Sequence, residues 1–328
     1  MSISAVTRPP VTHVPLSDAV LPPVDMSIPP WPGADQTSGG VTLHVRRTPG
    51  PASADATAVY VHGLGGSATN WTDLAGQLSG HVPGIAIDLP GFGRTEPPEH
   101  FDYSMPAHAD TVARFIRGLG AGPVHLLGNS MGGAISMLLA SRHPELVRTL
   151  TLISPAVPDL RPYLSRMSDP RLAIAYLPLV GPSVRRRLAR EDVDTRVLRL
   201  LALCFAEPDR IPESRKREAA DEFRERERLV WSNPALARST VGLFRTWLVP
   251  RSRSLWTIAP TISVPTLVVW GAKDRLVTVR KAPRTATLLP RGRMLVLPRT
   301  GHVAQMERPG TVARAVLGMW EQADAGRW

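Results

Sequence analysis

Short, unbroken apolar runs recur in two separate stretches of the chain. VTLHVRR (41–47), TAVYVH (57–62), GIAIDL (84–89), PVHLLG (123–128) and RTLTLIS (148–154) form the first set, and VPTLVVWG (264–271) and GRMLVLP (292–298) the second. Runs of this length, mostly without polar alternation, predict parallel strands buried on both faces of a sheet. Between them, ATNWTDLAGQLS (68–79), SMPAHADTVARFIRGL (104–119), MGGAISMLLASRH (131–143), TVRKAPRTATLL (278–289) and a last segment near 307–321 carry the three-to-four spacing of helices. Strand and helix alternate, so the expected fold class is α/β: a doubly wound, mostly parallel sheet with right-handed crossovers.

The pattern changes texture outside these stretches. Residues 157–259 read as helical throughout, broken by proline at 162, 170, 178, 182, 208, 212 and 234. This predicts a helical cap inserted into a core made of 38–156 and 260–328. Residues 1–37 are rich in proline with little periodicity, and predict a loosely packed arm. No apolar stretch approaches the ~18 residues that a membrane-crossing helix needs, and proline and charge interrupt the start of the chain before the apolar core of a secretory leader can form. With Cys204 as the only cysteine, no internal disulfide is possible, and a cytoplasmic location is expected.

Composition adds a question of partners. The 39 Lys and Arg outnumber 28 Asp and Glu, a net charge of +11, and only Lys216, Lys273 and Lys281 are lysines. Segment 157–259 holds 20 basic and 13 acidic residues, a difference of +7. A basic patch there fits anionic lipid headgroups or acidic substrates, and so peripheral contact with an anionic membrane. Interleaved charges such as ESRKREAADEFRERERL (213–229) also describe a plain solvated face. No nucleic-acid motif accompanies the charge, so nucleic acid is not an expected partner.

The chemistry concentrates at three strand ends. Gly128-Asn129-Ser130-Met131-Gly132 is a G-x-S-x-G pattern between an apolar strand and a helix, the context in which a serine is lifted from a sharp turn as a nucleophile. A serine hydroxyl needs a base, and the base needs a carboxylate to fix its tautomer. Asp274 in VVWGAKDRLV and His302 in LVLPRTGHVAQMERP each follow a late strand and open at the same sheet edge. Asp159, just after another strand, is the second candidate acid. His125 and His143 sit in a strand and at a helix end and read as structural; the histidines do not cluster at metal-ligand spacing, so neither metal nor cofactor is expected. In His62-Gly63-Leu64-Gly65-Gly66, the N–H of Leu64, together with that of Met131, can form an oxyanion hole.

These motifs, with DLPGFGRTEPP at 88–98, resemble the α/β-hydrolase superfamily over about residues 40–155 and 262–321, and in particular its capped serine hydrolases: carboxylesterases, lipases and meta-cleavage-product hydrolases. The resemblance implies acyl transfer by Ser130, His302 and Asp274, and a cap whose Phe205, Trp231, Phe244 and Trp247 shape the substrate pocket with Asn129 and Val303. Ser130 stands where haloalkane dehalogenases and epoxide hydrolases carry aspartate, which excludes alkyl-enzyme chemistry, and prolyl aminopeptidase relatives usually carry tryptophan where Met131 stands. Leu64 and Val303 depart from the pattern of the C–C hydrolases, although Asn129 with Arg185 or Arg190 can bind a dienol carboxylate. The expected activity is therefore hydrolysis of carboxylic esters, small or lipid-like, with short to medium acyl chains. The alternatives are C–C bond hydrolysis and a non-catalytic ligand-binding member of the fold.

Overall fold

The computed structural model describes residues 13–159 and 192–328. Eight strands make one sheet in the order β1-β2-β4-β3-β5-β6-β7-β8. They are β1 (Gly33–Ser38), β2 (Val41–Thr48), β3 (Ala58–Val61), β4 (Gly84–Ile87), β5 (Val124–Asn129), β6 (Val147–Ile153), β7 (Thr266–Gly271) and β8 (Gly292–Leu297). β2 runs antiparallel to β1 and β4, and the other neighbours are parallel. The α/β, mostly parallel architecture expected from the apolar runs is the one observed.

Helices cover both faces. α1 (Thr72–Leu78), α2 (Met105–Leu119) and α3 (Met131–Arg142) alternate with the early strands; α8 (Ala282–Leu288), α9 (Ala304–Glu307) and α10 (Pro309–Asp324) follow the late ones. Successive strand residues point to opposite faces. Accordingly Val59, Val61, Leu126, Val268 and Trp270 join residues of α2, α3 and α8 in one apolar cluster. Ala58, Tyr60, Leu127, Leu267 and Val269 join α1 and α10 in the other. Among the described residues, four helices lie between β6 and β7 in the chain, in the segment expected to be a cap: α4 (Val193–Cys204), α5 (Glu213–Glu227), α6 (Ser232–Leu248) and the single turn α7 (Leu255–Ile258). Val197, Leu201, Phe205, Ile211 and Ala220 give the cap a small core of its own, which Val303 enters from the α/β body.

The stretch read as a loose arm contains more structure than its composition implies. Gly33–Ser38 is a strand, joined to β2 through Gly39 and Gly40 at φ 55° and 72°, the two positive values that a tight hairpin turn requires. Residues before it are tied to distant elements: the Ser17 N–H donates to the Arg314 carbonyl, Gln77 Nε2 to the Pro22 carbonyl and Trp31 Nε1 to the Thr72 carbonyl, at 2.9, 2.9 and 3.0 Å. Proline removes local hydrogen bonds, so the order here comes from partners that a local reading does not include.

Burial fixes the charge state of several core groups. It lowers His62 to about 4, His108 to about 3 and His125 to about 4, and it raises Asp88 to about 6. Between about pH 6 and 4 the unfolded chain holds nearly three imidazole protons that the fold resists, while the folded chain holds up to one carboxyl proton at Asp88 that the unfolded chain lacks. The difference of about two protons favours the unfolded state as pH falls, by on the order of 2 kcal/mol per pH unit at the steepest point. Urea midpoints should therefore fall between about pH 6.5 and 4.5. A midpoint that stays level or rises through this window contradicts the assignment.

Candidate active site

Ser130 sits at the hinge between β5 and α3 with φ 53° and ψ −116°, a conformation that costs energy for any residue with a side chain. The surroundings leave it little choice. Its N–H donates to the Ile153 carbonyl at 3.0 Å, and its own carbonyl accepts from Ala134 and Ala156 at 3.1 and 2.8 Å. A Cβ on Gly128 would meet the Gly132 carbonyl oxygen and Ser136 Oγ at 2.5 Å, and one on Gly132 would come within 2.2 Å of the Val61 carbonyl oxygen. Both glycines are thus required by contact with backbone. The Ser130 hydroxyl has no hydrogen-bond partner among the described residues and makes no capping bond to α3.

The loop after β3 faces this turn. The backbone N–H groups of Leu64 and Met131 have no acceptor among the described residues, and Met131 opens α3, where the helix dipole favours negative charge. Three contacts shape the loop: Gly66 N–H to the Gly63 carbonyl at 3.0 Å, Arg226 Nη1 to the Gly65 carbonyl at 2.5 Å, and Thr69 Oγ1 to Glu222 Oε2 at 2.8 Å. The last two come from α5. Beneath it, His62 Nε2 accepts from the Leu89 N–H at 3.0 Å and Nδ1 lies 2.7 Å from the Gly63 carbonyl oxygen. That pattern needs the neutral ring, which its lowered value of about 4 supplies.

Beyond β8, His302 Nδ1 lies 2.9 Å from Asp274 Oδ2. Asp274 Oδ1 accepts from the N–H groups of Leu276 and Val277 at 2.8 and 2.9 Å. A carboxylate only accepts, so the proton of a neutral imidazole is on Nδ1 and Nε2 is free to act as a base. The Asp274 side chain is wholly buried, and the His302 side chain is 4% exposed. Asp159 takes no part in this pairing: its Oδ1 lies 3.1 Å from Lys281 Nζ.

The backbone around His302 is held by groups that no motif announces. Its N–H donates to the Cys204 carbonyl, the last residue of α4, at 2.7 Å. Its carbonyl accepts from Asn129 Nδ2 at 3.1 Å, and the same amide also donates to the Ile153 carbonyl at 3.1 Å. Asn129, expected to line the pocket, thus ties three strand ends together. The Glu307 carboxylate accepts from Gly301 N–H at 2.6 Å and from Ala206 N–H at 3.0 Å. It therefore spans the histidine loop and the end of the cap helix. Burial raises Glu307 above the ordinary carboxylate value, and these two N–H bonds oppose the rise. Burial, then the charges of Asp274 and Glu307, push the Cys204 thiol up to about 12, so it stays protonated.

The remaining expected pocket residues are scattered. Phe205 and Val303 are buried in the cap's small core. Phe205 also borders a cavity of about 600 Å³ lined by charged groups such as Asp88, Arg94, Arg215 and Glu222, with neither Ser130 nor His302 on its wall. Trp247 is half-buried, its Nε1 donating to the Ala156 carbonyl at 3.1 Å, and Trp231 is half-buried as well. Phe244 is 49% exposed. It shares its helical phase with exposed Val241 and Leu248, while Ala235, Ser239, Gly242 and Thr246 form the buried side of α6. Helical spacing alone identified an aromatic position and not its direction. Arg185 and Arg190 lie outside the described residues.

The doubly wound sheet, the serine elbow and the buried histidine–carboxylate pair at one sheet edge define a class, and a family model described as the alpha/beta hydrolase fold matches residues 59–309. The chain belongs to this family. It is 29% identical over 253 residues to Lipase 3 of Moraxella sp. (strain TA144), covering 76% of this chain and 72% of that protein. It is 28% identical over 263 residues to the 2-hydroxy-6-oxo-6-(2'-aminophenyl)hexa-2,4-dienoic acid hydrolase of Metapseudomonas resinovorans, covering 79% and 82%. Among solved structures, a bacterial membrane phospholipase A described as a virulence factor superposes with a TM-score of 0.71 at 26% identity, covering 89% of this chain and 86% of that one.

Removing the Glu307 carboxylate leaves two interior N–H groups unpaired, at about 1–3 kcal/mol each. Glu307→Ala should therefore lower unfolding stability by about 2 to 5 kcal/mol and speed hydrogen exchange at Gly301 and Ala206. A loss below about 0.5 kcal/mol with unchanged exchange contradicts the bridging role.

Proposed function

We propose that the protein hydrolyses carboxylic esters through a covalent acyl-enzyme on Ser130. The observation that carries the reading is an uncommitted serine hydroxyl on a strained elbow, at the sheet edge that also holds a histidine with its Nδ1 occupied by a buried aspartate. Ser130 Oγ attacks the ester carbonyl while His302 Nε2 takes the hydroxyl proton, and Asp274 stabilises the imidazolium. The N–H groups of Leu64 and Met131 donate to the developing oxyanion, each worth about 2.7–4 kcal/mol in the transition state. The alcohol leaves with the proton from His302. Water, deprotonated in turn by His302, then attacks the acyl group, and the acid departs with Ser130 restored.

Neutral imidazole is the working form, because Nε2 must accept the serine proton. The Moraxella relative, named a lipase, supports an ester or lipid-like substrate, and short to medium acyl chains fit a pocket closed by a cap. The Metapseudomonas relative, named a dienoic acid hydrolase, favours C–C bond cleavage as the second reading. Leu64 and Val303, which depart from that group's usual pattern, weigh for the ester.

Three measurements test this. Ser130→Ala should abolish labelling by a fluorophosphonate and cut kcat by about 10⁴-fold or more, and retained turnover would sink the assignment. Asp274→Asn should cost about 10⁴-fold, whereas Asp159→Asn should leave a far larger rate; the reverse order would transfer the acid role. In a panel of nitrophenyl esters run beside a meta-cleavage dienoate, the esters should give the higher kcat/KM. A dienoate turned over well above every ester reverses the substrate class.

A further inference from the structure

The outer side of α6 carries a row of exposed apolar side chains, of which Phe244 packs edge-on against the Trp247 ring. Val241, Phe244 and Leu248 are 47%, 49% and 70% exposed, and with exposed Ala237 they recur at helical steps of three and four. At 1.5 Å per residue the row runs about 16 Å along the helix. Arg238 and Arg245, both exposed, rise on one flank, and exposed Arg251 and Arg253 continue the band past the helix end. From 229 to 272 the sequence contains these four arginines and no aspartate or glutamate. None of the four forms an ion pair among the described residues. The one acid bordering the groove beside Arg238 and Arg245 is Asp102. This differs from α5, where Lys216 and Arg224 are paired with Glu213 and Asp221 of the same helix.

We infer that this face of α6 docks on an anionic phospholipid surface. Parallel apolar and cationic bands along one helix are the arrangement with which a helix lies in the membrane plane, its apolar side chains entering the acyl boundary and its guanidinium groups meeting lipid phosphates. A second copy of the chain fits less well, because an isologous contact would bring the same four unpaired cations together. No helix among the described residues is long and apolar enough to cross a membrane. The inner side of α6 contacts the turn that carries the serine: Trp247 Nε1 donates to the Ala156 carbonyl, and the Ala156 N–H to the Ser130 carbonyl at 2.8 Å. Docking therefore brings the site close to the lipid surface. The inference does not rest on ester hydrolysis.

The test is co-sedimentation of the full chain, and of Ser130→Ala, with phosphatidylcholine vesicles with and without phosphatidylglycerol. Both proteins should bind the anionic vesicles alike, which separates docking from catalysis, and affinity should fall at least about tenfold between roughly 0.05 and 0.5 M salt. Val241→Ser/Phe244→Ser/Leu248→Ser and Arg238→Gln/Arg245→Gln/Arg251→Gln/Arg253→Gln should each weaken binding about tenfold with unchanged circular dichroism, the substituted side chains being exposed. Arg217→Gln/Arg228→Gln, at exposed positions on α5 and just past its end, should bind like the wild type. Equal binding to neutral and anionic vesicles, no binding, an unaffected triple serine variant, or an equal loss in the α5 control would each overturn the proposal. So would a dimer in light scattering that the triple serine variant dissolves, which would give the face to a second copy.

Discussion

The geometry of the site depends on one close contact, between α3 and the end of β3. Gly132 approaches the Val61 and His62 carbonyls so tightly that a methyl group would lie 2.2 and 2.5 Å from their oxygens. That contact sets where α3 begins, and so forces the chain leaving β5 through the left-handed turn at Ser130. The strain is held because its neighbours over-determine it: β6 supplies the Ile153 carbonyl, the loop after β6 supplies the Ala156 N–H, and Gly128 pairs with Val61 across the sheet. Everything at the site is placed relative to this turn. Parallel strands deliver their following loops to one edge, so the segments after β3, β5, β7 and β8 meet there without long excursions.

Among the described residues, two of the junctions between the cap and that edge touch the proposed machinery. α5 reaches the loop carrying Leu64 through Arg226 and Glu222, and the end of α4 reaches the histidine loop through the Cys204 carbonyl and the Glu307 bridge. A displaced cap would leave the His302 N–H without its acceptor and the Glu307 carboxylate with only the Gly301 N–H. Interior polar groups resist such loss, so these contacts hold the cap ends against the body. The helix between them, α6, has its buried side toward the serine turn and its arginine-bordered side in solvent.

Much of the architecture was legible because strong physical requirements leave local marks. Strands buried on both faces must be apolar without interruption, and a serine elbow must have glycine where backbone meets backbone. Asp274 and His302 were legible as short loops after strands, and the structure pairs them directly. The supports of His302 were not. A carbonyl such as that of Cys204 is present on every residue, and Glu307 reads as one more surface acid until Gly301 and Ala206 are brought beside it. The ordered part of the N-terminal segment was hidden for the same reason, since Trp31 and Pro22 find their partners on α1 in the folded chain. Phe244 shows the opposite error: the helix was correctly anticipated, but a period of 3.6 tells which residues share a side and not which side faces inward.

In the proposed reaction the substrate acyl group passes through the hydroxyl of Ser130. Rapid-quench peptide mapping during turnover of a nitrophenyl ester reads this directly. An acyl adduct is expected on the peptide containing Ser130, appearing with the first burst of nitrophenol and decaying as substrate is exhausted. Turnover accompanied by an adduct on any other residue, with the Ser130 peptide unmodified throughout, would contradict it.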